Sequence, residues 1–143
     1  MMPRIGPLGR WQALVDAGRL SDDPVQRAAA GRLQALHEAL AAAPADAPAK
    51  PRRSFLRRRQ DRTPATSPRG LYLYGPVGRG KSMLMDLFFE DAPVARKRRV
   101  HFHAFMQEVH TGITEARQQG LRDPVARVAG AVARQAALLC FDE

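Results

Sequence analysis

The sequence is 143 residues long, is 45% hydrophobic and carries a formal net charge of +9 at pH 7. This length and composition allow one modest hydrophobic core and exclude collagen-like, disulfide-rich and intrinsically disordered proteins. The single cysteine, Cys140, has no partner for an internal disulfide, and no apolar run approaches the roughly 20 residues that cross a bilayer. The start of the chain also has no apolar signal segment. We therefore expect a cytoplasmic protein, with a mitochondrial presequence as the alternative.

The positive charge is concentrated between residues 41 and 69. This segment holds eight basic residues, two acidic residues and five prolines, and proline disfavours helix. The change in composition predicts an N-terminal helical extension over residues 1–43, a basic proline-rich linker over 44–69 and an α/β domain over 70–143. A short basic helix over 54–60 is an alternative within the linker. Because only Phe55 accompanies the arginines, a solvated or protein-binding loop is favoured over a nucleic-acid site.

A helix is predicted to begin after Asp23. Asp23 is a typical N-cap, and Pro24 suits the first helical position, where its missing backbone donor does no harm. Apolar residues then recur every three or four positions, which predicts one buried stripe along the helix. The residues of this stripe are Val25, Ala29, Leu33, Leu36 and Leu40.

Strands and helices are predicted to alternate after residue 70. Three apolar runs have the length of strands, at 71–74, 100–105 and 137–141. Apolar residues with helical spacing follow the first run at 83–89 and the second run at 106–116. A third helix is predicted after a second Asp-Pro cap at Asp123 and Pro124, and its residues Val125, Val128 and Val132 share one face. The methionines and phenylalanines of 83–89 are expected in the core, and the basic run 96–99 is expected to be a solvated turn. This order predicts an α/β fold with a parallel sheet covered on both faces.

A phosphate-binding loop is predicted between the first strand and its helix. The segment fits the pattern G-x-x-x-x-G-K-[ST] and consists of Gly75, Pro76, Val77, Gly78, Arg79, Gly80, Lys81 and Ser82. Glycines let the loop turn its backbone amides inward around phosphates, and the helix that follows presents its positive end to the same anion. Lys81 is expected to neutralise the β and γ phosphates, and the Ser82 hydroxyl to bind Mg²⁺. The predicted ligands are therefore ATP and Mg²⁺.

The third strand ends in two acids, the pattern of a Walker B segment. Asp142 is expected to hold Mg²⁺ through its water shell, and Glu143 to act as the general base that polarises the attacking water. Lys81 and Glu143 are thus the predicted catalytic residues. By itself an acidic strand end is a weak signal, because turns are often acidic. The phosphate loop upstream makes it stronger.

Two histidines are further candidates for functional residues. His101 and His103 are two residues apart and would share one face of a strand over 100–105. Packing in the strand is the favoured interpretation, and a contact with the nucleotide or with a neighbouring subunit is the main alternative. A zinc site with His110 or Cys140 is a remote one, because no further zinc-ligand motif accompanies these residues.

Several segments together resemble a known ATPase family. They are residues 70–89, the run from Arg99 to Met106 with Glu108 and His110, the pair Asp123 and Pro124, residues 139–143 and, near the N-terminus, Asp23 and Gln26 with the leucines after them. They look like the family of the bacterial cell-division protein ZapE and its mitochondrial relatives. The resemblance implies an AAA-type P-loop ATPase fold and ATP hydrolysis coupled to remodelling a protein partner, in bacteria the tubulin-like division ring. It also implies a homo-oligomer and, from the mitochondrial members, peripheral membrane association.

The sequence departs from this family at its end. A family member is expected to continue past the Walker B segment with a sensor strand, an arginine finger and a helical lid. We therefore expect a chain truncated after the Walker B strand that hydrolyses ATP poorly, with residues 71–74 separated from the other two strands. A nucleotide-binding module without hydrolysis and a nucleic-acid-associated loader ATPase are the alternatives.

Overall fold

The computed structural model describes residues 5–43 and 68–142. Its elements in chain order are α1 (Gly6–Asp16), α2 (Pro24–Ala42), α3 (Lys81–Asp91), β1 (Lys97–His101), α4 (Phe102–Gln118), α5 (Pro124–Gln135) and β2 (Leu138–Asp142). The predicted α/β class is confirmed. The expectations for the basic segment 44–67, including a helix over 54–60, and for Glu143 lie outside the described residues.

Helix α2 begins where the Asp-Pro pair predicts. The Asp23 carboxylate accepts a hydrogen bond from the Val25 amide at 2.8 Å, which satisfies one free donor of the first turn. The buried face of α2, however, comprises Ala30, Leu33 and His37. It is rotated by about one position from the predicted stripe, so Val25 is 69% exposed and its predicted burial is wrong.

The hydrophobic core joins the N-terminal helices to the α/β part. Its buried residues are Trp11, Ala30, Leu33, Leu84, Leu87, Phe88 and Cys140. Met83, Met85 and Phe89 pack partly buried against this cluster, as the sequence predicts. Helix α3 therefore lies between α1 and α2 on one side and β2 on the other, and the N-terminal helices cover a face that would otherwise be exposed apolar surface.

The described residues contain one sheet, in which β1 and β2 pair in parallel. Arg99 lies opposite Cys140, and His101 lies opposite Asp142. β1 begins at Lys97 and ends at His101, so the predicted strand over 100–105 is displaced and the predicted solvated turn over 96–99 is wrong. The reason lies in Lys97, whose ammonium donates to the carbonyl oxygens of Phe89 at 2.5 Å and Glu90 at 3.1 Å and thereby binds the end of α3.

Residues 71–74 pair with no strand in the part of the chain that the structure describes. Tyr72 and Tyr74 are 83% and 82% exposed, and their rings stack with centroids 5.9 Å apart. Only Leu73 packs against the core. The predicted strand is therefore not formed, because an extended segment without a neighbour makes no ladder hydrogen bonds.

Helix α5 and strand β2 follow the predicted order. The Asp123 carboxylate accepts from the Ala126 amide at 3.1 Å, which confirms the second cap. Val128 approaches α4 closely, since a Cβ at Gly112 would lie 3.0 Å from its Cγ2 atom, but Val125 is 59% exposed and does not join that face. In β2 only Cys140 is buried, and Phe141 is 42% exposed, so the strand is less buried than predicted.

Candidate phosphate-binding site

The predicted phosphate loop connects residues 71–74 to α3. Gly75, Gly78 and Gly80 have φ angles of 151°, 84° and 79°, a region that residues with a side chain rarely adopt. Gly80 is also the N-cap of α3. The loop thus ends at the positive end of a helix dipole, with the free amides of the first turn beside it.

Lys81 folds back over the loop. Its ammonium donates to the carbonyl oxygens of Gly75 at 2.6 Å and Pro76 at 2.7 Å. These two bonds hold the cation across the mouth of the loop, and an ammonium has three donors, so one stays available for a further acceptor. The geometry suits an anion bound in the loop.

The two halves of the predicted magnesium site meet in the structure. The Ser82 hydroxyl donates to Asp142 Oδ1 at 3.3 Å, although the residues are 60 positions apart. A hydroxyl and a carboxylate are hard oxygen ligands of the kind that Mg²⁺ prefers, usually with several waters retained. The donor set therefore fits Mg²⁺, with Ser82 and Asp142 as the residues that would hold it.

Arg99 holds the other oxygen of the Asp142 carboxylate. Its guanidinium donates to Asp142 Oδ2 at 2.8 Å and forms a second ion pair with Asp86 of α3. The hydrogen bond from Arg99 is the main cause that lowers the pKa of Asp142, and the bond from Ser82 contributes in the same direction. Asp142 is thereby kept ionised with Oδ1 directed at Ser82. No motif in the sequence points to a role for Arg99 in the site, because only the pairing of β1 with β2 brings it there.

Gln26 contacts the loop from the N-terminal helices. Its Nε2 atom donates to the Arg79 carbonyl oxygen at 3.2 Å, and its Oε1 atom accepts from the Trp11 indole at 3.2 Å. The sequence leaves open whether residues 22–40 pack near the nucleotide or only brace the domain, and this hydrogen bond brings the helix to the loop. The family resemblance includes Gln26 near the start of α2, but hydrophobic spacing does not show that its side chain faces the loop.

The predicted arrangement of the two histidines is wrong. His101 ends β1, whereas His103 lies in the first turn of α4 beside Gln107, with 3.3 Å between the two side-chain nitrogens. The chain turns into helix at Phe102, so the two rings do not share a strand face. Across residues 5–43 and 68–142 no group of three or more metal-ligating side chains is found that could hold a metal ion.

A glycine loop at the start of a helix, a lysine over that loop, and a serine bonded to an aspartate at the end of a parallel strand define the class of P-loop nucleoside triphosphatases. The chain matches the family of AFG1-like ATPases over residues 5–143. It belongs to that family.

Individual relatives extend this result. The chain is 37% identical to the cell division protein ZapE of Escherichia coli K12, over 99% of this chain and 38% of that protein. It is 44% identical to Lactation elevated protein 1 homolog B of Danio rerio, over 53% of this chain and 17% of that protein. An uncharacterised protein of Schizosaccharomyces pombe is 45% identical over 53% of this chain and 18% of its own length. The chain thus spans well under half of these relatives.

No solved structure matches the chain significantly. Among the described residues, no helix has both the length and the apolar character that crossing a membrane requires.

Proposed function

We propose that this chain binds ATP with Mg²⁺ through residues 75–82 and Asp142, and that the ATPase of which it forms part hydrolyses the nucleotide to regulate or remodel a protein partner. The observation that carries the proposal is the hydrogen bond between Ser82 and Asp142, which unites two motifs distant in sequence. It supports one site for phosphate and metal. The AAA-type architecture of the whole domain belongs to the same proposal.

Each residue of the site has a proposed task. The loop amides and Lys81 bind the β and γ phosphates, and Ser82 and Asp142 hold the metal, which supplies charge neutralisation for the transferred phosphoryl group. Glu143 directly follows Asp142 and is the proposed general base for the attacking water. Arg99 keeps Asp142 ionised and oriented.

The proposed process is cell division, and it rests on the similarity to ZapE, whose name assigns it to that process. The proposed partner is a protein of the division machinery, with the tubulin-like ring as the first candidate. Homo-oligomer formation and peripheral membrane association are proposed for the longer protein.

The proposal is tested with two lysines at opposite ends of α3. Lys81→Ala removes the cation over the loop and should weaken Mg-ATP binding by about tenfold or more, since a charged hydrogen bond to phosphate contributes about 1.5–3 kcal/mol. Lys97→Ala removes the cation at the other end of the helix and should leave the affinity unchanged. Equilibrium binding of a fluorescent ATP analogue measures both. Equal affinity of the Lys81 variant and the unaltered chain contradicts the proposal.

A binding module without hydrolysis is the second candidate. The observation that favours it is that residues 71–74, which lead into the loop, are unpaired in the described chain. Phosphate release by the 143-residue chain that Lys81→Ala abolishes supports the enzyme. Mg-ATP binding without phosphate release supports the module.

A further inference from the structure

The contact between α2 and the phosphate loop joins three elements through one side chain. Gln26 lies between the Trp11 indole of α1 and the Arg79 carbonyl of the loop, with 3.2 Å to each. The approach is close, because a Cβ at Gly80 would lie 2.9 Å from the Gln26 Nε2 atom. Trp11 is fully buried, so its indole gives the Gln26 amide a fixed partner.

The peptide that Gln26 holds is part of the anion cradle. The described chain contains no cis peptide bond, and in a planar trans peptide the carbonyl and amide of one unit point in opposite directions. With the Arg79 oxygen bonded to Gln26, the Gly80 amide points to the side of the loop away from α2. Backbone amides of such loops are the groups that bind phosphate.

We propose that Gln26 is a positioning residue that fixes the Arg79–Gly80 peptide for phosphate binding, and that it couples the buried Trp11 to the nucleotide state of the loop. The inference rests on the proposed nucleotide binding and adds a role for the N-terminal helices. When phosphates order the loop, the Arg79 carbonyl oxygen shifts its position. The Gln26 amide that is bonded to it shifts as well, and the geometry of the indole hydrogen bond changes as a result.

The test uses Trp11 as its own reporter, since it is the only tryptophan in the sequence. In the 143-residue chain, Mg-ADP should change the tryptophan emission with the same half-saturation as binding measured by calorimetry. Gln26→Glu retains an acceptor for the indole but has no donor for the Arg79 oxygen when ionised. It should weaken Mg-ADP binding by about fivefold, the value of one hydrogen bond, and abolish the emission change. Gln26→Ala should weaken binding similarly.

The control is Gln34 on the same helix. Gln34 accepts from the Leu8 amide at 3.4 Å and donates to Glu38 at 3.0 Å, so it also bridges to α1 but does not contact the loop. Gln34→Ala should keep both the affinity and the emission change. Circular dichroism confirms that the variants fold.

The outcomes separate the two claims. Binding by the unaltered chain with no change in Trp11 emission overturns the coupling, whatever the variants do. Gln26 variants that bind Mg-ADP as tightly as the Gln34 variant overturn the positioning role. An unaltered chain that does not bind Mg-ADP contradicts the proposed function itself, and the inference falls with it.

Discussion

Arg99 lies between two carboxylates that belong to different elements. It pairs with Asp86 of α3 and with Asp142 of β2, while its neighbour Arg98 pairs with Glu108 of α4 at 2.5 Å. Adjacent strand residues point to opposite faces of the sheet, so the two arginines serve separate acids. Arg99 lowers the pKa of Asp142, and Arg98 lowers the pKa of Glu108.

The Arg99–Asp142 and Arg98–Glu108 ion pairs give a reciprocal prediction. Arg99→Ala should raise the pKa of Asp142 and leave that of Glu108 unchanged, whereas Arg98→Ala should do the reverse, because in each acid the hydrogen bond from its own arginine is the main cause of the lowered pKa. Carbon-detected NMR titration of the carboxyl groups measures both. A shift of both acids in either variant would show that the pairs are not independent.

The lowered pKa of Asp142 also makes the stability of the folded chain depend on pH. Since folding lowers the pKa of Asp142, the Arg99 contact stabilises the folded chain above the ordinary carboxyl value of about 3.9. This contribution disappears as the pH falls through the folded pKa. In Arg99→Ala the urea midpoint of unfolding should therefore fall less steeply as the pH is lowered from 7 to 3 than it does in the unaltered chain.

At the residue scale the sequence predicts the loop because its motif has fixed spacing, and Asp142 because an apolar run ends in two acids downstream of that loop. Arg99 and Gln26 have no such motif. Arg99 reaches Asp142 only through the register of β1 with β2, and Gln26 reaches the loop only through the rotation of α2. Neither the register nor the rotation can be read from hydrophobic spacing with an accuracy of one residue.

The two Asp-Pro caps show how one local signal produces two different backbones. Asp23 has an extended backbone with φ of −97°, whereas Asp123 has φ of +49° in the left-handed region. A left-handed conformation costs a residue with a Cβ about 1–2 kcal/mol, and aspartate and asparagine tolerate it best. Asp123 thus has two functions, as a cap and as a left-handed residue.

Substitution by alanine should cost different amounts of stability at the two caps. Asp23→Ala should lower the free energy of unfolding by about 1 kcal/mol, the value of a typical cap. Asp123→Ala should lower it by about 2 kcal/mol, because alanine also adopts the left-handed backbone poorly. Asp123→Asn should cost about 0.5 kcal/mol or less, because asparagine caps as well as aspartate and tolerates the left-handed backbone. Urea unfolding measures all three, and equal costs for the two alanine variants would contradict the backbone argument.

At the element scale the helices following the caps are predicted well, and the strands less well. β1 begins three residues before the predicted strand and ends where α4 starts, because Lys97 binds the end of α3 and its basic neighbours form ion pairs instead of a turn. Helix α1 has no strong start signal, as glycines at positions 6 and 9 interrupt its pattern. The burial of Trp11 depends on packing against α2 and α3, and α3 is remote in sequence.

On the scale of the molecule, one core connects the N-terminal helices to the candidate site. Cys140 of β2 belongs to the same buried cluster as Trp11 and Leu33. Burial raises the pKa of its thiol, and Arg99 and Lys97 oppose this only partly. The exposed position of residues 71–74 beside this core could not be predicted from their apolar pattern, since that pattern indicates strand without showing what pairs with it.

Cys140 therefore provides a test of the whole fold. At pH 8 the folded chain should react with a thiol reagent at least about tenfold more slowly than the chain in urea, because the thiol is buried and little of it is ionised. Phe88→Ala, which opens the core beside β2, should speed the reaction. Equal rates for folded and unfolded chains would mean that β2 does not pack on the core.

The central claim is that the loop and the end of β2 form a single magnesium nucleotide site. A double-mutant cycle with Ser82→Ala and Asp142→Asn, measured as the affinity for ADP by calorimetry in Mg²⁺ and in EDTA, tests it most directly. Because both residues are proposed to act through one ion, the losses should be non-additive by at least about 1 kcal/mol in Mg²⁺ and close to additive in EDTA. Additive losses in the presence of Mg²⁺ would contradict the account.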